Sequence, residues 1–374
     1  MGTLRFLLAL CVVVTHAPGS ELFGARLLSG ITAVQGFYII SGFLITLVLN
    51  TRAEYRDISR FYISRYLRLW PAYIVVAVLM FAMFKSDVLI HGIARLDWPA
   101  ALFVIASNAT IFLQDWFLFF AITPDGASLS PTAHFITEPG MQLNGLLLVP
   151  QAWSLGIELT FYLVAPFICR SPPRLLGLFC FGLLVRIGLG LWSPERDPWL
   201  YRFSPAEMML FASGGLVYFA GTWLETRLPA RFMRAVGIVC LAILAIIIAR
   251  HKQNNTLSDS LLLFNWNALA MIAVSCPFLL SASRGYAWDS MIGELSYPMY
   301  LCHVFVYEAM ASYAPYSLIP SNFWYVCASI IFSIALLRLV VLPVDRYRKR
   351  FGALPRTDLA KEMTVGKDAA HVAG

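Results

Sequence analysis

Apolar residues run through this chain in long blocks separated by short polar joints. Blocks such as Val236 to Ala249 show none of the every-second-residue alternation of a half-buried strand. A block of about 20 residues matches a helix crossing a hydrocarbon layer, and its continuous apolarity argues against the alternating strands of an outer-membrane barrel. The pattern predicts eleven candidate spans near residues 4–17, 27–49, 70–84, 98–122, 148–168, 175–192, 205–224, 235–250, 259–281, 291–313 and 321–343. The fold expected is all-α, a polytopic integral membrane helical bundle with about 10 transmembrane helices.

Charge fixes the expected sidedness. The loop from Arg52 to Arg68 carries Arg52, Arg56, Arg60, Arg65 and Arg68 against Glu54 and Asp57, which marks it as cytoplasmic. Arg227, Arg231 and Arg234 mark a second such loop, and Arg346, Arg348, Lys349 and Arg350 place the carboxyl end on the same side. Residues 123–169 contain no Lys or Arg and suit the outer side. Both termini are therefore expected in the cytoplasm. Eleven full crossings cannot leave both ends on one side, so one candidate must be re-entrant or merge with a neighbour, and the short 70–84 run is the suspect. A membrane-embedded domain over residues 1–345 is followed by a basic, then polar and aperiodic stretch, 346–374, that reads as a disordered cytoplasmic tail. Thr15-His16-Ala17 has the look of a signal-peptide cleavage site, but a histidine in the apolar core departs from that pattern, so the segment reads as a span.

Composition narrows the function classes. Of 374 residues 59% are hydrophobic and 13% charged, against roughly 45–50% and 25% in soluble domains. Little is left for a soluble catalytic domain. The net charge of +7 gathers in connecting loops, which speaks for topology rather than nucleic-acid binding. Seven cysteines lie in or beside apolar runs without CxxC spacing, so neither a disulfide framework nor a metal site is expected. Walker, HExxH and Gly-x-Ser-x-Gly motifs are absent, and so is an internal repeat, which counts against a transporter built from duplicated halves.

Chemistry concentrates in a few ionisable residues placed where ionisation is costly. Arg5 and His16 are eleven residues apart, close to three helical turns, so both leave one face of a helix about 16 Å apart along its axis. A neutral His16 could take a proton from an attacking hydroxyl, whereas a lone intramembrane histidine is ordinarily a satisfied interhelical hydrogen bond. The arginine on the same face favours function. His303 also lies within an apolar run. Glu158, in mid-span, needs a wet cavity or a structural partner such as Arg186, and Asp115 is similarly placed without a surrounding pattern. Arg65 and Arg68, three apart, would face the same way in a helix and could clamp phosphates, although topology or anionic-lipid contact is the commoner use of such a basic segment. Phe37 to Leu44 offers small residues for close helix packing.

Taken in order, these segments resemble the acyltransferase 3 family of bacterial membrane O-acyltransferases. Arg5 and His16 match its Arg-x10-His element, Phe37 to Leu44 its Phe-Phe-x-x-Ser-Gly-Phe-Leu segment, and Arg65 with Arg68 its Arg-x-x-Arg loop. Trp153-Ser154-Leu155 through Glu158 matches its Trp-Ser-Leu-x-x-Glu segment, and Leu295-Ser296-Tyr297 through Tyr300-Leu301 and His303 its late Ser-Tyr-x-x-Tyr-Leu-x-His segment. The resemblance implies transfer of an acyl group, commonly acetyl from acetyl-CoA as co-substrate, onto a hydroxyl of an envelope or secreted carbohydrate such as O-antigen, exopolysaccharide or a lipo-oligosaccharide. It implies His16 as base, Arg5 as the group that positions the donor or stabilises charge, Glu158 as a further catalytic carboxylate, and Arg65 with Arg68 as contacts to the CoA phosphates. His303, Tyr300 and Trp153 are implied as residues that orient the acceptor or His16. Direct transfer and a two-step route through an acyl-enzyme both fit.

Partners expected on this reading are a carbohydrate or glycolipid acceptor, acyl-CoA, membrane lipids and separate polysaccharide-assembly proteins, with no nucleic acid and no metal. A competing class is a membrane carrier or flippase for a glycolipid or small anion, since intramembrane arginine and histidine also line transport paths. A scaffold that only keeps the fold is a third, against which the standing cost of the buried cations counts.

Overall fold

The computed structural model of the chain describes residues 1–133, 142–192, 197–249, 266–313 and 322–352. The described part is predominantly helical, with short 3₁₀ and π-helical turns, connecting loops and one small hairpin. Its helices are α1 (Gly2–His16), α2 (Gly30–Thr51), α3 (Ile58–Met80), α4 (Ser86–Arg95), α5 (Trp98–Thr110), α6 (Trp153–Ile168), α7 (Pro172–Trp192), α8 (Ser204–Arg227), α9 (Ala230–Ala249), α10 (Trp266–Ser283), α11 (Ala287–Tyr313), α12 (Asn322–Leu336) and α13 (Leu342–Gly352). Strands β1 (Phe120–Ile122) and β2 (Leu129–Pro131) pair antiparallel between α5 and α6, with Ala121 opposite Ser130. Among the described residues, six helical stretches are long and apolar enough to cross a membrane: Gly30–Thr51, Ile58–Arg95, Pro172–Trp192, Ala230–Ala249, Trp266–Ser283 and Asn322–Arg348. Helix α1, at 15 residues, is apolar but shorter.

Three expectations change. The 70–84 run is not re-entrant: it belongs to one continuous 38-residue helical stretch in which a π-helical turn, Phe81–Lys85, joins α3 to α4. The arginine-rich segment ending at Arg68 is not a loop beyond Arg56, because Asp57 caps α3 through the Ser59 amide and Arg60, Arg65 and Arg68 lie on that helix. The 98–122 run is not a span. Helix α5 stops at Thr110, and Ile111 and Leu113 adopt positive φ of 72° and 62°. There the carbonyls of Asn108 and Ala109, which would continue the helix, instead accept the Tyr73 hydroxyl (2.8 Å) and the Trp70 indole N–H (2.7 Å) of α3. Beyond the break Phe117 and Ile122 join Val104, Leu143 and Leu146 in a small separate core, whereas Ile111, Leu118 and Phe119 belong to the main one. At the far end the basic segment 346–352 continues α13, whereas residues 353–374, expected as a disordered tail, lie outside the described residues, as do 259–265 at the start of one predicted span.

Close helix approach follows from small residues. Gly42 of α2 lies over the Phe211 carbonyl of α8, and Gly214 of α8 lies over the Ile39 carbonyl of α2, so a Cβ at either position would collide with backbone. Gly2 and Gly293 make the same approach between α1 and α11. Beside Gly293, the Asp289 carboxylate accepts the amides of Gly2 (2.8 Å) and Thr3 (2.9 Å) and the Thr3 hydroxyl (2.7 Å). A residue of α11 thus supplies the acceptors that the first turn of α1 cannot find within its own helix.

Deep in the bundle Arg186 of α7 pairs with Glu207 of α8, both fully buried, while Gln35 of α2 donates to both Glu207 oxygens at 3.4 Å. Glu158 is therefore not the partner of Arg186. Arg186→Met should strand the Glu207 carboxylate and cost about 3–5 kcal/mol, read as a lower thermal midpoint of the purified protein in detergent. Adding Glu207→Leu should restore most of that loss; a double variant no more stable than the single would show that the pair does not act through its charge.

Candidate active site

Helix α1 runs along α11, and the two ends of that contact carry different chemistry. At one end Arg5 opens onto a cavity of about 90 Å³ lined also by Arg65 and Arg68 of α3, Glu158 and Tyr162 of α6, and Tyr297 and Tyr300 of α11. A wider crevice of about 350 Å³ adjoins it and shares Arg5, Arg68 and Tyr297 with it. At the other end His16, the fifteenth and last residue of α1, lies against His303 of α11 with ring centroids 4.8 Å apart and planes tilted by 57°. Arg5, Arg65, Arg68, Glu158 and Tyr300 are thus brought into one cavity, and His16, His303 and Trp153 are not part of its lining.

The arginines are under-partnered. No carboxylate lies within 4.0 Å of the Arg5, Arg65 or Arg68 guanidinium among the described residues. Arg65 is only 6% exposed; it donates to the Tyr55 hydroxyl at 3.4 Å, its Nε has no partner, and its guanidinium lies over the rings of Tyr55 and Phe61 at 5.6 and 5.7 Å. Tyr55 is itself fixed by the Ser64 hydroxyl at 2.9 Å. Helical spacing puts Arg68 one turn on from Arg65, and both reach the cavity. Pro71 denies a donor to the carbonyl one turn earlier. The Tyr297 hydroxyl donates to the neighbouring Leu69 carbonyl at 2.6 Å and holds this part of α3 against α11.

Glu158 is held by hydroxyls rather than by a cation. Ser41 of α2 and Tyr162, one turn along α6, each donate to the same carboxylate oxygen at 2.6 Å. The other oxygen is left for the cavity. Ser41 belongs to the segment whose sequence reads as packing alone; a serine between glycine and apolar residues gives no sign of a carboxylate across the helix interface. Ser154 and Tyr297 were likewise visible only as motif members. Asp115, expected in mid-span, sits in a 3₁₀ turn and accepts the Ser204 hydroxyl at 2.7 Å, away from this cavity.

Tyr300 links the two ends. Its hydroxyl donates to the Gln151 carbonyl at 2.9 Å and lies 2.5 Å from the Ser154 hydroxyl, which fastens the start of α6 to α11, and Gln151 donates to the Leu301 carbonyl at 2.6 Å. One turn on, His303 Nδ1 lies 2.6 Å from the Tyr300 carbonyl, and His16 Nδ1 lies 2.9 Å from the Val12 carbonyl. A carbonyl only accepts, so each Nδ1 carries the proton and each neutral ring keeps a lone pair on Nε2. His303 is fully buried, its Nε2 without a hydrogen-bond partner among the described residues, whereas His16 is exposed. Trp153 lies nearby in a stack in which the Arg202 guanidinium sits 4.7 Å over the Trp153 ring and 4.7 Å over the Tyr201 ring. Its contacts are thus with the Asp197–Arg202 ion pair and Tyr201 rather than with the arginine cavity. Three or more His, Cys, Asp or Glu that could hold a metal ion are not grouped anywhere among the described residues.

Comparison with known proteins gives a consistent result. The chain is similar to YrhL of Bacillus subtilis, 23% identical over 343 residues, which cover 83% of this chain and 49% of that protein. It is also similar to O-acetyltransferase OatA of Staphylococcus aureus, 28% identical over 204 residues (49% of this chain, 28% of the relative). Peptidoglycan O-acetyltransferase OatA of Listeria monocytogenes is 26% identical over 209 residues (52% and 29%). The chain spans half or less of the length of these curated relatives. No solved structure gives a significant match. The family model described as an acyltransferase domain matches residues 2–338, nearly all of the helical bundle and every residue of the cavity and the histidine pair. The protein belongs to the acyltransferase 3 family.

Proposed function

We propose that the protein is a membrane O-acyltransferase that moves an acyl group, acetyl from acetyl-CoA, onto a hydroxyl of an envelope carbohydrate. The observation that carries this reading is the division of one helix contact into two chemistries. Three guanidiniums without carboxylate partners among the described residues line the cavity at the Arg5 end, and two imidazoles that share their Nδ1 protons with backbone carbonyls meet at the His16 end. Unpaired cations in an apolar bundle call for an anionic ligand, and planar guanidiniums suit phosphate. The CoA nucleotide is held from the cytoplasmic side at Arg65 and Arg68, and its flexible arm carries the thioester past Arg5 toward His16. The likeness to the OatA proteins supports acetyl as the group transferred and a cell-wall carbohydrate as the class of acceptor.

In the reaction the acceptor hydroxyl attacks the thioester carbonyl carbon while His16 Nε2 takes its proton. The C–O bond forms, the carbonyl electrons move to oxygen, and cationic or hydroxylic neighbours such as Arg5 stabilise the oxyanion. Collapse breaks the C–S bond and the thiolate of CoA recovers the proton from His16. His303 orients His16 and offers its own Nε2 lone pair to the Nε2 proton that His16 gains. Glu158, held by Ser41 and Tyr162, orients groups within the arginine cavity rather than His16, whose ring lies at the other end.

His16→Ala should lower acetyl transfer to glycan by about 10²–10⁴-fold while leaving CoA affinity within about twofold. Mass spectrometry of acetylated cell-wall glycan from cells carrying the variant reads the loss. Intact polymer export with no acetylation separates the enzyme from a carrier; full acetylation by a correctly inserted variant would overturn the assignment of the base.

Arg65→Gln with Arg68→Gln should weaken CoA binding at least tenfold, the scale of about 1.5–3 kcal/mol for a hydrogen bond to a charged group. The salt dependence of binding should fall as well, because the lost contacts are ionic. Calorimetry on the detergent-solubilised protein at two salt concentrations measures both, and unchanged affinity would remove these residues from the donor site.

A further inference from the structure

The arginine that the charge pattern assigns to topology alone, Arg348, does not behave as a solvated surface residue. Helix α13 packs back onto α3, and the Arg348 side chain is only 16% exposed. Its Nη1 donates to the Ser64 carbonyl at 3.3 Å, one residue before Arg65, and its Nη2 pairs with Asp345 at 3.0 Å. Asp345 is 18% exposed. Both residues line the wider crevice together with Arg5 and Arg68. Arg348 lies beyond residues 2–338, the part of the chain that the family model matches.

The other charged groups of the crevice are the Met1 α-ammonium, which pairs with Asp289 at 3.2 Å, Asp289 itself and Glu294. Asp289 is committed to the amides of α1, so its charge is already directed at a helix N-terminus. Glu294 makes no ion pair among the described residues. That leaves Asp345 as the carboxylate that holds Arg348. A phosphate entering the crevice that Arg68 and Arg348 both line would compete with Asp345 for the Arg348 guanidinium, and Asp345, 18% exposed, has a side open to the crevice.

We propose that Arg348 is a third phosphate contact of the donor site, taking a phosphate of the nucleotide part of acyl-CoA, and that Asp345 is the counter-ion which that phosphate displaces. The inference rests on the reading of Arg65 and Arg68 as the donor site and extends it to a helix outside the family's matched region. The two members of one ion pair then act in opposite directions on binding. Arg348→Gln removes a ligand to phosphate, and Asp345→Asn removes a competitor of phosphate.

The test is calorimetric titration of the full chain in neutral detergent with coenzyme A and, separately, with adenosine 3′,5′-bisphosphate. Arg348→Gln should weaken both about tenfold and reduce the salt dependence of binding, whereas Asp345→Asn should tighten both severalfold. A purely structural role for the pair predicts that both variants weaken binding, because either one breaks the contact that holds α13; that result would overturn the proposal. So would an Arg348→Gln effect that appears only in nanodiscs containing anionic lipid, which would assign the side chain to lipid headgroups. Arg65→Gln with Arg68→Gln serves as the control. If it loses CoA binding and Arg348→Gln does not, the inference alone falls; if neither loses it, the donor site itself has been misplaced.

Discussion

The arrangement depends on how closely α1 lies along α11. Gly2 and Gly293 remove the side chains that would hold the helices apart, and Asp289 turns the first amides of α1 into hydrogen-bond donors to its neighbour. Once that end is fixed, the rigid rise of a helix places everything downstream. Arg5 falls beside Tyr297 and Tyr300, and His16, about 16 Å further along the axis, falls beside His303. A flexible linker could not hold a guanidinium and an imidazole at a set separation. A short apolar helix braced along its length does so without any further contact between the two.

The bundle treats its buried charges in two ways. Arg186 and Glu207 neutralise each other with help from Gln35, so they add an ion pair to the α2–α7–α8 interface and present nothing to a ligand. Among the described residues Arg65 is given the Tyr55 hydroxyl and the rings of Tyr55 and Phe61, and Arg5 and Arg68 the cavity, instead of carboxylates within 4.0 Å, while Glu158 is given hydroxyls instead of a cation. Leaving the charges apart costs desolvation that an internal pair would offset. On the proposed function, that cost is what makes the cavity receptive to an anion, and it separates these arginines from the paired Arg186 more clearly than depth in the membrane does.

The helices were legible because an apolar block of fixed length permits little else in a hydrocarbon layer. Their ends were less so. The run over 98–122 reads as a span, yet its helix stops where Trp70 and Tyr73 take the carbonyls that would have carried it on, and those side chains are some 40 residues away in the chain. The arginine-rich segment reads as a loop because charge density marks sidedness, but the Asp57 cap and the tyrosines around Arg65 let three of its arginines ride on a helix. In the site, residue types with costly placements stood out, whereas Ser41 and Ser154, ordinary in any span, acquired a role only from the groups across from them.

By itself the sequence determined the all-helical membrane class, the shared face of Arg5 and His16, and the set of ionisable residues worth attention, since each follows from local periodicity or from the cost of burying charge. Only the tertiary structure decided which of them meet: that Glu158 joins the arginines while His16 joins His303, that Arg186 belongs to Glu207, and that Arg348 returns to the side of Arg65. Those pairings are set by how helices remote in the chain pack against one another, and no spacing along a single helix carries that information.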